Sequence, residues 1–188
     1  MTRATSRQER AEERRERILD EAAALADAEG WGAVTTRRLA DAIGYTQPVL
    51  YGHFPGGKTE IMSAVALRGF ADLARRCSEA SEKRAGRDAI EAVATAYLGF
   101  AAARPALYEA MFQLPSDAHF AVADNEAELR AGFDALSRAL GEPTDGIVTE
   151  VFWGALHGAG QLERAGRMRP EDRSRRISEI GARFAPRP

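Results

Sequence analysis

At 188 residues, 45% hydrophobic and 29% charged, the chain has the composition of one globular domain or two small ones with a proper core, not of a disordered segment. No run approaches the ~18 consecutive apolar residues of a membrane span; the start, MTRATSRQERAEERRERILD, lacks the apolar core of a secretory signal, and Cys77 is the one cysteine, so a disulfide framework is excluded and the cytoplasm is expected. The net charge of −2 neither demands nor forbids a nucleic-acid partner.

Nearly every segment repeats its apolar residues at helical spacing. Ile18, Ala22, Leu25 and Ala26 form the stripe of a first helix that stops at Gly30 and Gly32. Thr35 is a suitable N-cap for a second helix with Leu39, Ala40 and Ile43 inward, ended by Gly44. Thr46 is placed to cap a third, with Pro48 in its first turn, where the missing N–H costs nothing. After FPGGK a long fourth helix carries Met62, Ala66, Phe70, Leu73 and Cys77, and SEKRAGRD is expected to be a loop.

The fifth helix has an unbroken stripe of Ile90, Val93, Ala94, Tyr97, Leu98 and Ala101. PALYEAMF, from Pro105, predicts a short sixth helix, and QLPSDAHFAVAD an irregular connection. NEAELRAGFDALSRAL predicts a seventh, closed by Gly141 and Pro143; an eighth runs from about Thr144 to Ala165 and a ninth from about Pro170 to Phe184. No sustained period-two alternation or hairpin signal occurs, so the expected class is all-α with about nine helices. The expected division is residues 1–58, three small helices, and 59–188, a larger bundle.

Charge is distributed unevenly. The first 17 residues hold six Arg against four Glu, and residues 37–58 hold Arg37, Arg38 and Lys58 against Asp41 alone. Asp20, Glu21, Asp27 and Glu29 lie between these patches. A phosphate backbone responds to charge within about 8–10 Å, so local patches count for more than the total.

TTRRLADAIGYTQPVLYGHF, residues 35–54, packs two short periodic stretches around one glycine. Helices below ~12–15 residues are marginal alone, so each must be held by packing on something else. A short helix, a tight glycine turn and a second short helix make a helix-turn-helix, whose second helix can enter the DNA major groove. With Val49 or Leu50 and Phe54 completing a small core, Gln47, Pro48, Tyr51 and His53 are left for the outward side. Gln can read adenine, while Tyr and His can reach phosphate oxygens; Arg37 and Lys58 flank them.

The same block, followed by Lys58, resembles the DNA-binding domain of the TetR family of bacterial transcriptional repressors, over about residues 10–70. The resemblance implies that Thr35 caps the brace helix while Thr36 and Arg37 approach DNA. It implies that Thr46, Gln47, Pro48 and Val49 open the recognition helix, that Tyr51 and His53 lean on phosphates, and that Lys58 clamps the backbone. One departure is that Pro-Gly-Gly puts three residues between Phe54 and Lys58, where the family usually has two.

VFWGALHGAGQLERAG in the eighth helix resembles the Trp-…-His-Gly motif of one C-terminal type in this family. Val148, Val151, Phe152, Ala155, Ala159 and Leu162 are expected on one broad face; Gly154 and Gly158, with Trp153 and His157, on another. Each helical glycine costs ~1 kcal/mol relative to Ala, which implies a closely approaching neighbour. A homodimer contact is expected there, formed with Gln161 and with Ile177, Ile180 and Phe184 of the ninth helix. The resemblance also implies a small-molecule effector pocket, for which Tyr97, Phe100, Tyr108, Met111, Phe112 and Trp153 are the large side chains available. Such residues at helical spacing are more often plain core than a ligand box.

No cofactor or metal site is expected, because His53, His119 and His157 lie far apart without carboxylate–His ligand spacing. Cys77 reads as an ordinary buried thiol. ERAEERRER reads either as a solvated helical face or as an arm toward nucleic acid, with Arg3 and Arg7 ahead of it. The expected function is a dimeric repressor that binds a palindromic DNA operator and is released by a small-molecule effector. The alternatives are an effector-independent regulator, or a helical-bundle enzyme, for which no nucleophile–base pair or phosphate loop speaks.

Overall fold

The computed structural model describes residues 2–113, 127–141 and 146–186. Among these residues the elements are α1 (Thr2–Glu29), α2 (Thr36–Ile43), α3 (Gln47–His53), α4 (Gly57–Ser81), α5 (Gly86–Ala103), α6 (Pro105–Gln113), α7 (Ala127–Leu140), α8 (Gly146–Arg164), a 3₁₀ turn (Pro170–Asp172) and α9 (Arg173–Phe184), with no strand. The all-α expectation is met. Most of the QLPSDAHFAVAD connection, the start of the seventh helix at Asn125, Pro143, Thr144 and His119 lie outside the described residues.

The chain forms two compact units: Met1–Leu67 with Ala106–Pro115, and Arg68–Pro105 with Ser116–Pro188. The first therefore reaches past residue 58 into α4 and takes in most of α6. In this front unit Ile18, Leu19, Ala22 and Ala26 of α1 are buried with Leu39, Ala40 and Ile43 of α2 and with Leu50 and Phe54. Each large side chain removed from water contributes roughly 1.5–3 kcal/mol, which is what holds α2 and α3 in shape despite their length. Val49 is 39% exposed, so of the two sequence candidates Leu50 alone completes the core.

Thr35 caps α2 as expected, its Oγ1 accepting from the Arg38 N–H at 3.2 Å. Gly44 ends α2 at φ 71°, a left-handed conformation that glycine reaches without steric cost. Thr46 sits extended at the N-cap of α3, but its hydroxyl makes no cap hydrogen bond, against expectation. Trp31 is buried and donates its indole N–H to the Ala106 carbonyl at 2.7 Å, while the Ala106 N–H reaches Asp27 Oδ1 at 3.3 Å. These two bonds fix the start of α6 to the end of α1 within the front unit.

In the second unit α5 is the centre, packed by α7, α8 and α9. Its expected stripe of Ile90, Val93, Ala94, Tyr97, Leu98 and Ala101 is buried, and Ala89 and Phe100 join it. α9 approaches α5 closely at Gly181, where a Cβ would stand 2.5 Å from Glu91 Cγ. Arg87 holds Glu91 there at 2.6 Å and also donates to Ser178 Oγ at 2.7 Å. The first turn of the expected ninth helix is the 3₁₀ turn at Pro170.

α8 corrects the expected assignment of its faces. Thr149, Phe152 and Leu156 are fully buried, whereas Ile147, Val148, Val151 and Leu162 are 61%, 42%, 58% and 45% exposed. The single broad apolar face is thus two: Phe152 points into the core against Phe184, ring centroids 5.0 Å apart, and Val148, Val151 and Leu162 point out. Helical phasing puts Gly154 and Gly158 on the outward stripe with Val151 and Leu162, not on a separate face with Trp153 and His157.

Candidate nucleic-acid interface and core cavity

Leu50 and Phe54, both fully buried, hold α3 by one side and leave Gln47, Pro48, Val49 and Tyr51 exposed on the other. No acidic residue occurs from Gln47 to His53. Thr46 at its N-terminus and Arg37 on α2 are exposed, and Thr36 is half-buried.

Tyr51 is 45% exposed, yet its ring has a fixed seat. A Cβ built on Gly57 would meet Tyr51 Cε1 at 3.2 Å, Thr36 Cγ2 at 3.7 Å and Tyr51 Oη at 3.8 Å. Gly57 belongs to the Pro-Gly-Gly that departs from the family spacing, and its φ of 62° is one that glycine adopts readily. The tyrosine therefore lies across bare backbone at the start of α4, beside Thr36.

His53 is half-buried against α1: its Nε2 accepts from Arg14 Nε at 3.3 Å, and its carbonyl accepts from Arg15 at 3.1 Å. Burial, and then the charges of Arg14 and Arg15, lower the His53 pKa despite Glu12. The Arg15 guanidinium also sits 4.3 Å from the Phe54 ring centroid. Lys58 turns back on the protein, its Nζ donating to the Trp31 carbonyl at 2.5 Å. Arg38 is held by Glu29 in a two-pronged pair at 2.7 and 2.9 Å. Arg37 is exposed on α2, while Lys58, Arg38 and His53 each have a partner within the unit. The Arg14 and Arg15 contacts were not legible in the sequence, where they read as part of an alternating charged face.

A short helix gripped at its base, offering an acid-free polar and aromatic edge beyond a glycine turn, defines a helix-turn-helix DNA-binding regulator. Residues 18–65 match the family described as bacterial regulatory proteins, tetR family, and residues 90–183 match a tetracyclin repressor-like C-terminal domain. The chain belongs to the tetR family of bacterial transcriptional regulators. It is 29% identical over 174 residues to an HTH-type transcriptional regulator of Mycobacterium tuberculosis, Rv0681, covering 91% of this chain and 79% of that one. A TetR transcriptional regulator from Rhodococcus sp. RHA1 superposes with TM-score 0.66 at 25% identity, over 95% of this chain and 97% of its own. A tetR-family regulator from Streptomyces coelicolor shares the fold, with TM-score 0.68 at 20% identity over 92% and 79% of the two chains. The matched C-terminal description names no Trp-His-Gly subtype, so that assignment rests on Trp153, His157 and Gly158 alone.

The second unit holds a core cavity with about 20 Å³ open to a water-sized sphere. It is lined by Phe70, Leu73, Ala74 and Cys77 of α4, Tyr97 of α5, Gly132, Phe133 and Leu136 of α7, and Trp153 of α8. Trp153 Nε1 donates to Tyr97 Oη at 3.1 Å, so the polar atoms in this wall are engaged with each other. Burial raises the Cys77 thiol to about 12, leaving it an inert wall group.

Of the six expected pocket residues, Tyr97 and Trp153 line this cavity. Phe100 is buried elsewhere in the unit, near the Arg76 guanidinium, and Tyr108, Met111 and Phe112 belong to the front unit. Periodicity marks them as buried but cannot assign them to a unit. His157 stacks on Trp153 with ring centroids 5.9 Å apart; burial and the nearby Arg164 lower its pKa. Among the described residues no three His, Cys, Asp or Glu side chains converge as a metal site.

Proposed function

We propose that this regulator is a homodimeric, effector-released repressor of the cytoplasm that binds a palindromic DNA operator through α3. The exposed, acid-free edge of α3, held out by Leu50 and Phe54 behind the Gly44 turn, carries the reading. Thr46, Gln47, Pro48 and Val49 address base edges. Thr36, Arg37 and Tyr51 take phosphates, and His53 acts from behind by fixing Arg14 and Arg15 at the end of α3. Lys58 becomes a phosphate clamp only by exchanging its bond to the Trp31 carbonyl.

The homodimer reading is supported by α8. Ile147, Val151 and Leu162 are exposed along one stripe with Gly154 and Gly158, where added Cβ atoms would meet nothing within 4 Å. An apolar stripe with glycines facing open space suits the close approach of a second helix. Gln161 is exposed on its edge, and Ile177, Ile180 and Phe184 of α9 are half-buried, as an interface shared between copies would leave them. In a two-fold dimer the paired α3 helices address half-sites ~34–36 Å apart.

The effector enters the core cavity beside Trp153. Ligand sites hold ~300–1,000 Å³, so this cavity must widen to accept one. Its α4 wall runs from Phe70 to Cys77.

Selection from a random duplex pool, followed by mobility shift at two salt concentrations, tests this function. The expected result is an inverted repeat bound by two chains, with affinity that falls steeply as salt rises. Failure to enrich any sequence, or binding to a single half-site by one chain, would overturn it.

A further inference from the structure

A second concave site lies in the rear unit, distinct from the core cavity. Leu98, Ala101, Ala102 and Pro105 at the end of α5, Gly160, Glu163 and Arg164 at the end of α8, and Met168, Pro170 and Arg173 beyond it line a groove of about 500 Å³. Its floor is apolar and its charge is gathered at one end.

At that end Glu163 is 15% exposed and serves two guanidinium groups: Arg176 Nη2 at 2.7 Å and, more loosely, Arg173 Nε at 3.5 Å. Arg176 spends another donor on the Arg169 carbonyl at 3.0 Å. Arg173 Nη2 and Arg176 Nε are shielded from solvent and have no acceptor among the described residues. Arg164 lines the same groove beside Glu163 and Arg173. Shielded donors without acceptors are unfavourable, and two guanidinium groups, Arg173 and Arg176, share the one carboxylate of Glu163, which favours a further anion. The flat fork of arginine fits a carboxylate at two points.

We propose that this groove binds an amphipathic carboxylate, its head on Arg173 and Arg164 and its hydrocarbon body along Leu98, Ala102 and Met168. The volume falls within the range of small-molecule sites, ~300–1,000 Å³. An apolar molecule without a charge leaves the shielded donors unmet, and a small anion without a body leaves the floor wet. Both parts are therefore required. The groove shares no lining residue with the core cavity.

The full-length protein is titrated with decanoate below its micelle concentration, beside decanol, acetate and inorganic phosphate. Methionine-methyl spectra report location, because Met168 lines the groove whereas Met62 and Met111 do not. Decanoate is expected to shift Met168 selectively and to bind at least tenfold more tightly than decanol or acetate. Arg173→Gln is expected to weaken decanoate about 10- to 100-fold, the range of one charge-assisted hydrogen bond, and to leave decanol unchanged. Ala102 is exposed, so Ala102→Phe fills the groove without touching the core and is expected to abolish binding even if the arginine variant folds poorly. Equal affinity for decanol and decanoate, phosphate binding that matches decanoate, or decanoate shifts confined to other methionines would each overturn the proposal.

Discussion

Replacing Gly57 with alanine separates the two tasks of the Pro-Gly-Gly segment. At φ 62° an L side chain is strained, a cost of roughly 1–2 kcal/mol. Gly44, at φ 71°, carries the same backbone cost, but a Cβ there meets nothing within 4 Å. At Gly57 the Cβ meets the Tyr51 ring at 3.2 Å, closer than ordinary contact, so the ring must move by a few tenths of an ångström. Urea unfolding is expected to show both variants destabilised by about 1–2 kcal/mol. Anisotropy titrations with operator and random duplex are expected to show an additional loss only for Gly57→Ala. It should be roughly fivefold on both DNAs, as for one displaced neutral hydrogen bond of ~1 kcal/mol. A cycle with Tyr51→Ala closes the test, since contacting residues couple by about 0.5–3 kcal/mol. Additive effects on DNA binding, or equal DNA affinities for Gly44→Ala and Gly57→Ala, would refute the seat assigned to Tyr51.

Gln47→Ala is expected to relax preference at one base pair by ~1–3 kcal/mol, read by competition among single-base operator variants; equal losses on operator and random DNA would contradict base reading. Thr35→Ala removes the bond to the Arg38 N–H and is expected to cost ~0.5–2 kcal/mol in urea unfolding. A Cβ on Gly158 meets nothing within 4 Å, so in Gly158→Gln the monomer should keep its fold while dimer affinity falls at least about tenfold in sedimentation equilibrium; an unaltered dimer would place the interface elsewhere. His53 and His157 both titrate below the ordinary histidine value of about 6.5, so the stability they contribute is full above that pH and is lost as pH falls through their lowered values. The thermal midpoint should drop between pH 7.5 and about 5.5, and should drop less in the His53→Gln, His157→Gln double variant.

The sequence by itself determined the helices, the cap at Thr35, the stop at Gly44 and the outward edge of α3. These follow from interactions within about four residues along the chain: the 3.6-residue period, a hydroxyl three residues from an N–H, a backbone turn that suits glycine. The block from Thr35 to Phe54 was legible because its function is also local; one short helix carries both the grip, Leu50, and the edge, Gln47 to Tyr51. Only the tertiary structure decided what depends on residues far apart. α8 has apolar side chains on two sides, and which one is buried is set by α5 and by Phe184, so Val151 and Leu162 turned outward while Phe152 and Leu156 turned in. Tyr108, Met111 and Phe112 went to the front unit because the Trp31 indole holds the Ala106 carbonyl, 75 residues along the chain. Lys58 and His53 acquired partners on and after α1 that no spacing in the motif announces. The groove that holds Arg173 and Glu163 arises because the ends of α5 and α8 and the start of α9 converge there, and the shielding of Arg173 Nη2 removes the water that would have masked it.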